Sequence, residues 1–254
     1  MRAGGRAGGL RAAAACGSGG APAAAASGTP TGTVTVLAAA SLTDPFTIIG
    51  DRFSAAHPGT TVSFSFSGSS QLAQQIVAGA PADVFAAASP STMKTVTDAG
   101  QGAAEPYVFV RNQLVIAVPK GDPKGIRTLA GLARPGVKVA LCAEQVPCGA
   151  AAATALRAAG VALTPVTLEN DVKAALAKLR LGEVDAALVY RTDVKAASTE
   201  VDGIEFPESA AAVNDYPIVA LTVAPNPAGA AAFLAFVQSV QARTVLLDAG
   251  FQQP

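Results

Sequence analysis

From residue 31 onward the chain alternates short apolar runs with stretches of helical length, and this alternation limits the possible folds more than any other feature. The runs are "VTVLAA" (34–39), "TVSFSF" (61–66), "DVFAAA" (83–88), "QLVIAVP" (113–119), "VKVALC" (137–142), "AALVY" (186–190) and "PIVALTVA" (217–224). Most are apolar at successive positions and rich in β-branched residues, which suits strands covered on both faces. Helices are expected at 42–56, 70–79, 90–99, 149–159, 171–181 and 227–249. Glycines at 79, 100, 160 and 182, and "PGTT" after His57, act as stops, with Ser41, Ser69 and Asn170 as candidate starts. Pro45 is compatible with a helix opening near Ser41, because the first four N–H groups of a helix have no partner within it. The pattern predicts an α/β fold with largely parallel sheets and right-handed crossovers.

Strand and helix alternate before residue 112 and again after 137, and the polar segment "PKGDPKG" (119–125) marks a place where a second lobe could begin. Two α/β lobes, with the chain crossing twice and its C-terminal segment returning to the first, accommodate this order; one larger doubly wound sheet is the alternative. Half of the 254 residues are apolar, enough for one large core or two linked ones. Lys plus Arg and Asp plus Glu are 18 each, so no basic face is available to track nucleic acid. The apolar stretches are broken well before the roughly 20 residues that a spanning helix needs.

The first thirty residues are Gly, Ala, Arg and Ser with almost no bulky apolar side chain, and should carry no fold. Three arginines precede "AAAAC", as in an export signal ending at a lipid-modified cysteine, here Cys16. The segment has no apolar core, and Ala13 stands where such signals usually carry Leu, so a plain leader is the alternative. Cys142 and Cys148 are too far apart for a CxxC site. In an exported chain they most simply form one short-loop disulfide, worth roughly 2 kcal/mol, with two reduced core cysteines as the other possibility.

Four places share one chemistry, a loop handing over to a helix start with donors and no matching positive charge. They are Ser41 in "AAASLTD", Ser69 in "SFSGSSQLAQQ", the "QVPCGA" turn, and "LENDVKAAL". In open α/β sheets ligands sit beyond the carboxyl ends of strands, where helix N-termini present free N–H groups and partial positive charge. If the four converge, they form an anion site. Each also has a purely structural reading: Ser41 with Asp44 as a capping-box variant, Ser69 as an N-cap, Pro147 and Gly149 as a turn, Tyr190 as a core aromatic.

The segments "VLAAASLTDPF", "FSFSGSSQLAQQIVAGAPADVFAAAS", "VPCG", "ENDVKAAL" and "ALVY" resemble the signature segments of the periplasmic molybdate-binding proteins of ABC importers, and the resemblance runs from about 33 to 251. It implies a two-lobed periplasmic-binding-protein fold of type II, with the ligand in the cleft. Residues 31–114 and 219–254 would form lobe I and 115–218 lobe II, after a leader and linker at 1–30. It further implies capture of molybdate or tungstate by neutral donors alone. These would be Ser41 and Ser69 through hydroxyl and N–H, the N–H groups of Cys148 and Val172, and the Tyr190 hydroxyl. No protein atom would ligate the metal, and no cofactor is implied. The family often carries Ala at the Cys148 position, a change that a backbone donor survives. The implied protein is an extracytoplasmic monomer, lipid-anchored through Cys16, whose partner is a membrane permease.

About seven donors at roughly 1.5–3 kcal/mol each can offset the desolvation of a dianion. A donor-only site also favours a fully deprotonated oxyanion over one that carries a proton. Sulfate meets the same condition, so another oxyanion is the alternative ligand. An enzyme is poorly supplied, with His57 the one histidine and no Gly-x-Ser-x-Gly elbow. The absence of Trp argues against a sugar site built on stacking platforms.

Overall fold

The computed structural model describes Met1, Gly4, Gly5 and residues 30–254, so Cys16 and most of the expected leader lie outside the described residues. The chain opens with β1 (Gly32–Ala39), a 3-10 turn (Ala40–Leu42), α1 (Thr43–Ala56), β2 (Thr60–Ser67), α2 (Ser69–Val77), β3 (Val84–Ala86), α3 (Pro90–Asp98) and β4 (Tyr107–Asn112). It then crosses at Gln113 into β5 (Leu114–Pro119), α4 (Leu129–Leu132), β6 (Val139–Cys142), α5 (Pro147–Ala158) and β7 (Thr167–Glu169). There follow α6 (Val172–Arg180), β8 (Ala186–Tyr190), α7 (Arg191–Ala196), β9 (Val201–Ile204) and a 3-10 segment (Pro207–Ala212). The chain returns through β10 (Asn214–Ala220), α8 (Pro227–Val237) and α9 (Val240–Asp248).

Two five-stranded sheets result, in the orders β2-β1-β3-β10-β4 and β7-β6-β8-β5-β9. In each, three strands run parallel, and the strand that has just crossed from the other lobe joins antiparallel to the third of them, β10 beside β3 and β5 beside β8. The sheets are therefore two copies of one arrangement, with β4–β5 and β9–β10 as the connecting segments. Each lobe has its own apolar core. Buried residues between Leu114 and Ala212 form one cluster, while those before Val110 and after Tyr216 form two more on the faces of the first sheet. The two-lobed expectation holds over the single large sheet.

The local signals act where they were read. Pro45 sits in the first turn of α1 and Pro147 opens α5. Helices α2 and α6 stop before Gly79 and Gly182, whose φ of 90° and 72° lie in the left-handed region that favours glycine. Several expectations need correction. Ser41 lies inside the 3-10 turn and does not cap α1; the cap of α2 is Gly68, and Asp171, not Asn170, caps α6 through Ala174 N–H at 2.9 Å. The expected helix 227–249 is two helices bent by 63°, because Ser239 accepts a hydrogen bond from Ala242 N–H and restarts the helix. Strands β4, β7 and β9 and the short helices α4 and α7 were not expected.

The expected boundary at 218/219 also moves. Strand β10 begins at Asn214 in the first sheet, and Pro217 lies inside it at a register shift between Tyr216 and Pro217. A proline without an N–H is tolerated at such an irregularity, so it does not mark the start of the strand.

Cys142 at the end of β6 and Cys148 in the first turn of α5 are disulfide-bonded, with Cα atoms 5.7 Å apart. The turn they close is tight, since a Cβ on Gly149 would fall 1.9 Å from the carbonyl oxygen of Ala143. Replacing both cysteines by serine should lower the unfolding free energy by about 2 kcal/mol, as expected for a short loop released in the unfolded chain. Urea denaturation of the two proteins side by side reads this; equal midpoints would mean that the bridge adds no net stability.

Candidate functional site

The carboxyl ends of β1, β2, β6, β7 and β8 all hand the chain to the interlobe cleft, and every candidate residue lies at or after one of them. Ser41 follows β1, Ser69 follows β2, Cys148 follows β6 and Val172 follows β7, while Tyr190 closes β8. All five line one cavity of about 20 Å³, shared between the lobes. Organic ligands usually occupy pockets of roughly 300 Å³ or more, so this space suits a small inorganic ion. Cys148 and Val172 occupy the second and first positions of α5 and α6, and Ser69 the first of α2. N–H groups at these positions have no acceptor within their own helix and carry the positive end of its dipole.

The hydroxyls are held by buried partners. Ser69 Oγ accepts from Ala88 N–H at 3.0 Å, and Ser41 Oγ lies 2.8 Å from the Tyr216 hydroxyl. The Tyr190 hydroxyl accepts from Asn214 Nδ2 at 2.8 Å. Burial first, and then the neighbouring Tyr216, push the Tyr190 phenol well above its ordinary pKa, so it keeps its proton. One carboxylate, Asp171, is among the lining residues, and its Oδ1 is committed to capping α6. Among the described residues no group of three or more His, Cys, Asp or Glu side chains is placed to hold a metal ion.

The lobes meet around this cavity. Gly68 packs so closely on the opposite lobe that a Cβ there would lie 2.4 Å from Asn170 O. Ser70 Oγ donates to Gln145 O at 2.8 Å, and Lys173 Nζ reaches Asp44 at 3.0 Å. A two-lobed α/β chain with helix N-termini converging on an interlobe cavity is the arrangement of a receptor for small solutes, and the sequence comparison agrees. A family profile of bacterial extracellular solute-binding proteins matches residues 34–252. The chain belongs to that family.

Relatives of this solute-binding protein include the molybdate-binding protein ModA of Mycobacterium tuberculosis (strain ATCC 25618 / H37Rv). It is 43% identical over 222 residues, covering 87% of this chain and 85% of the relative. ModA of Escherichia coli (strain K12) is 33% identical over 230 residues, covering 87% and 89%. Among solved structures, the periplasmic molybdate-binding protein of Azotobacter vinelandii aligns with a TM-score of 0.77 at 21% identity, over 87% of this chain and 99% of the other. The sulfate-binding protein SubI of Mycobacterium tuberculosis H37Rv gives the same TM-score at 19% identity, over 87% and 86%. At these identities the structural likeness speaks to the fold alone.

Behind the cavity of this solute-binding protein lie polar residues that the sequence reading missed. Asn112, Asn214 and Tyr216 come from the strands flanking the two crossings, and no local motif marks them. Asp193 is the third residue of α7, and only 1% of it is exposed. Its Oδ2 accepts from Tyr190 N–H at 3.1 Å, while Oδ1 has no hydrogen bond and faces Lys173 Nζ at 3.6 Å. Burial raises its pKa from 3.8 to about 6, against the opposing effect of Lys173. Between these values Asp193 binds more protons in the folded chain than in the unfolded one, so its contribution to stability falls as pH rises from about 4 to about 6. Asp193→Asn keeps an acceptor for Tyr190 N–H and should abolish that fall, a change of about 3 kcal/mol across the window. Urea unfolding at successive pH values measures it; an unaltered slope would assign the fall to other groups.

Proposed function

We propose that this chain is an extracytoplasmic receptor that captures molybdate, and tungstate with it, between its lobes for delivery to the membrane permease of an ABC importer. The observation that carries this reading is the convergence of neutral donors from both lobes on one small cavity. In this reading Ser41 and Ser69 donate through hydroxyl and N–H, Cys148 and Val172 through N–H, and Tyr190 through its hydroxyl. The anion is cargo, no protein atom binds the metal directly, and the chain performs no chemistry on it. Relatives at 43% and 33% identity named as molybdate-binding proteins support the choice of ligand. The protein acts as a monomer, since the cavity is completed by the two lobes of one chain.

Physically, donor number balances charge. Hydrogen bonds to a charged group contribute roughly 1.5–3 kcal/mol each, and about seven of them offset what a tetrahedral dianion loses on leaving water. Cavity size must then separate molybdate from sulfate, which is also fully deprotonated.

Isothermal titration should give 1:1 binding of molybdate and tungstate, with sulfate weaker by about 100-fold or more, a gap of about 2.7 kcal/mol. Comparable sulfate affinity would move the reading to another oxyanion. Ser41→Ala and Ser69→Ala should each weaken molybdate by about 10- to 100-fold while the unliganded protein still folds. Full affinity in both variants would leave the hydroxyls a purely structural role.

We further propose that Cys16 carries the lipid that tethers the domain. Expressed in a bacterial host, the chain should incorporate a labelled fatty acid and fractionate with membranes, and Cys16→Ser should do neither. Labelling that persists in the variant would exclude Cys16 as the acceptor.

A further inference from the structure

A hydroxyl can offer a ligand either its hydrogen or its lone pairs, and the group behind it decides which. Behind Tyr190 stands Asn214. Its Nδ2 lies 2.8 Å from Ala88 O and 2.8 Å from the Tyr190 hydroxyl. Ala88 O can only accept, so the amide is oriented with nitrogen toward it, and the second amide hydrogen points at the Tyr190 oxygen. Tyr190 is thus an acceptor on its protein side. Its own hydrogen is left for the cavity or for the nearby Tyr216 oxygen, and a charged oxygen is the stronger acceptor of the two.

The same logic runs through Asn112. Its Oδ1 accepts from Gln113 N–H at 3.0 Å, which turns Nδ2 toward Thr192 at 2.9 Å and Tyr216 at 3.4 Å. With Asn112 donating to it, Tyr216 can turn its own hydrogen to Ser41 Oγ at 2.8 Å, which would leave the Ser41 hydrogen free. Ser69 reaches the same state directly, because Ala88 N–H occupies its oxygen. Asn112, Asn214 and Tyr216 are buried, so water does not compete for these bonds.

Resting on the oxyanion reading above, we infer that Asn214 and the Asn112–Tyr216 pair are positioning residues that fix hydroxyl polarity, so that Tyr190 and Ser41 present hydrogens to the ligand. The cavity hydroxyls then act as donors, which excludes oxyanions that carry a proton of their own. Asn214 does this from a place where the lobes meet, since its Nδ2 also lies 3.4 Å from Pro147 O of the second lobe.

The test is a pair of double-mutant cycles read by molybdate titration, with thermal melting of each unliganded protein alongside. Asn214→Leu in the wild-type background should weaken molybdate about tenfold. In the Tyr190→Phe background it should add little, because the hydroxyl through which it acts is gone. Tyr216→Phe should behave likewise, weakening binding in the wild type and adding little once Ser41→Ala is present. Equal losses in both backgrounds, for both pairs, would mean that these residues only support the fold and would overturn the inference. If Asn214→Leu melts early, the Tyr216→Phe cycle decides. Failure of the wild-type chain to bind molybdate would instead remove the ligand reading and this inference with it, a result distinct from binding with additive losses.

Discussion

A doubly charged ion taken out of water has to find its hydrogen bonds again inside the protein, and of the donors proposed for one here neither lobe holds the full set. Ser41 and Ser69 belong to the first lobe; Cys148, Val172 and Tyr190 belong to the second. The full donor set exists only when the lobes are together, so the anion proposed for this cleft gains most of its binding energy from the closed arrangement. The direct contacts between lobes are weaker partners in closure. The Lys173–Asp44 pair is partly exposed and of the kind worth about 0–1 kcal/mol. Gly68 sets the limit of approach, because its missing Cβ is what lets the start of α2 meet Asn170 O.

The donors are aimed by topology rather than by any single side chain. Both sheets use the same order, three parallel strands followed by an antiparallel one, and a parallel strand that hands over to a helix leaves that helix's N-terminus at its carboxyl end. Two such sheets joined by paired crossings turn those ends toward one another. Within the second lobe the disulfide and the glycine-lined turn after β6 fix the Cys148 N–H to the strand, so this donor is held before any ligand arrives.

What could be read from sequence was what is local. A helix start carries its signal within a few residues, which is why Ser69 and the turns "QVPCGA" and "LENDVKAAL" could be singled out, while Cys148 and Val172 within those turns followed from resemblance. Tyr190 followed from resemblance, since "AALVY" alone fits any buried strand. Strands β7 and β9 escaped because they are short and lie at sheet edges, with half-exposed residues that break the apolar run. The break at Ser239 escaped because it involves neither Gly nor Pro. The supporting polar residues could not be read at all. Ser41 meets Tyr216 from 175 residues away, and Asn112 meets Thr192 from 80, pairings that only the twice-crossing chain creates.

A buried carboxylate behind the site looks at first like a mistake beside a cavity proposed to hold an anion. Asp193 lies fully inside the second lobe, its backbone neighbour Tyr190 lines the cavity, and burial, opposed by Lys173, leaves its pKa raised to about 6. Its role becomes clear from Lys173, the residue after Val172, which faces Asp193 on one side and Asp44 on the other. A lysine placed this close to a helix N-terminus would otherwise add a full positive charge to the site and attract anions indiscriminately. Two carboxylates offset it, so for the anion proposed here the number and direction of neutral donors, rather than net charge, would set which ion is held. The cost is a carboxylate oxygen without a hydrogen bond. Under the proposed function, discrimination would then rest on geometry, which distinguishes one tetrahedral anion from another, where a bare charge would not.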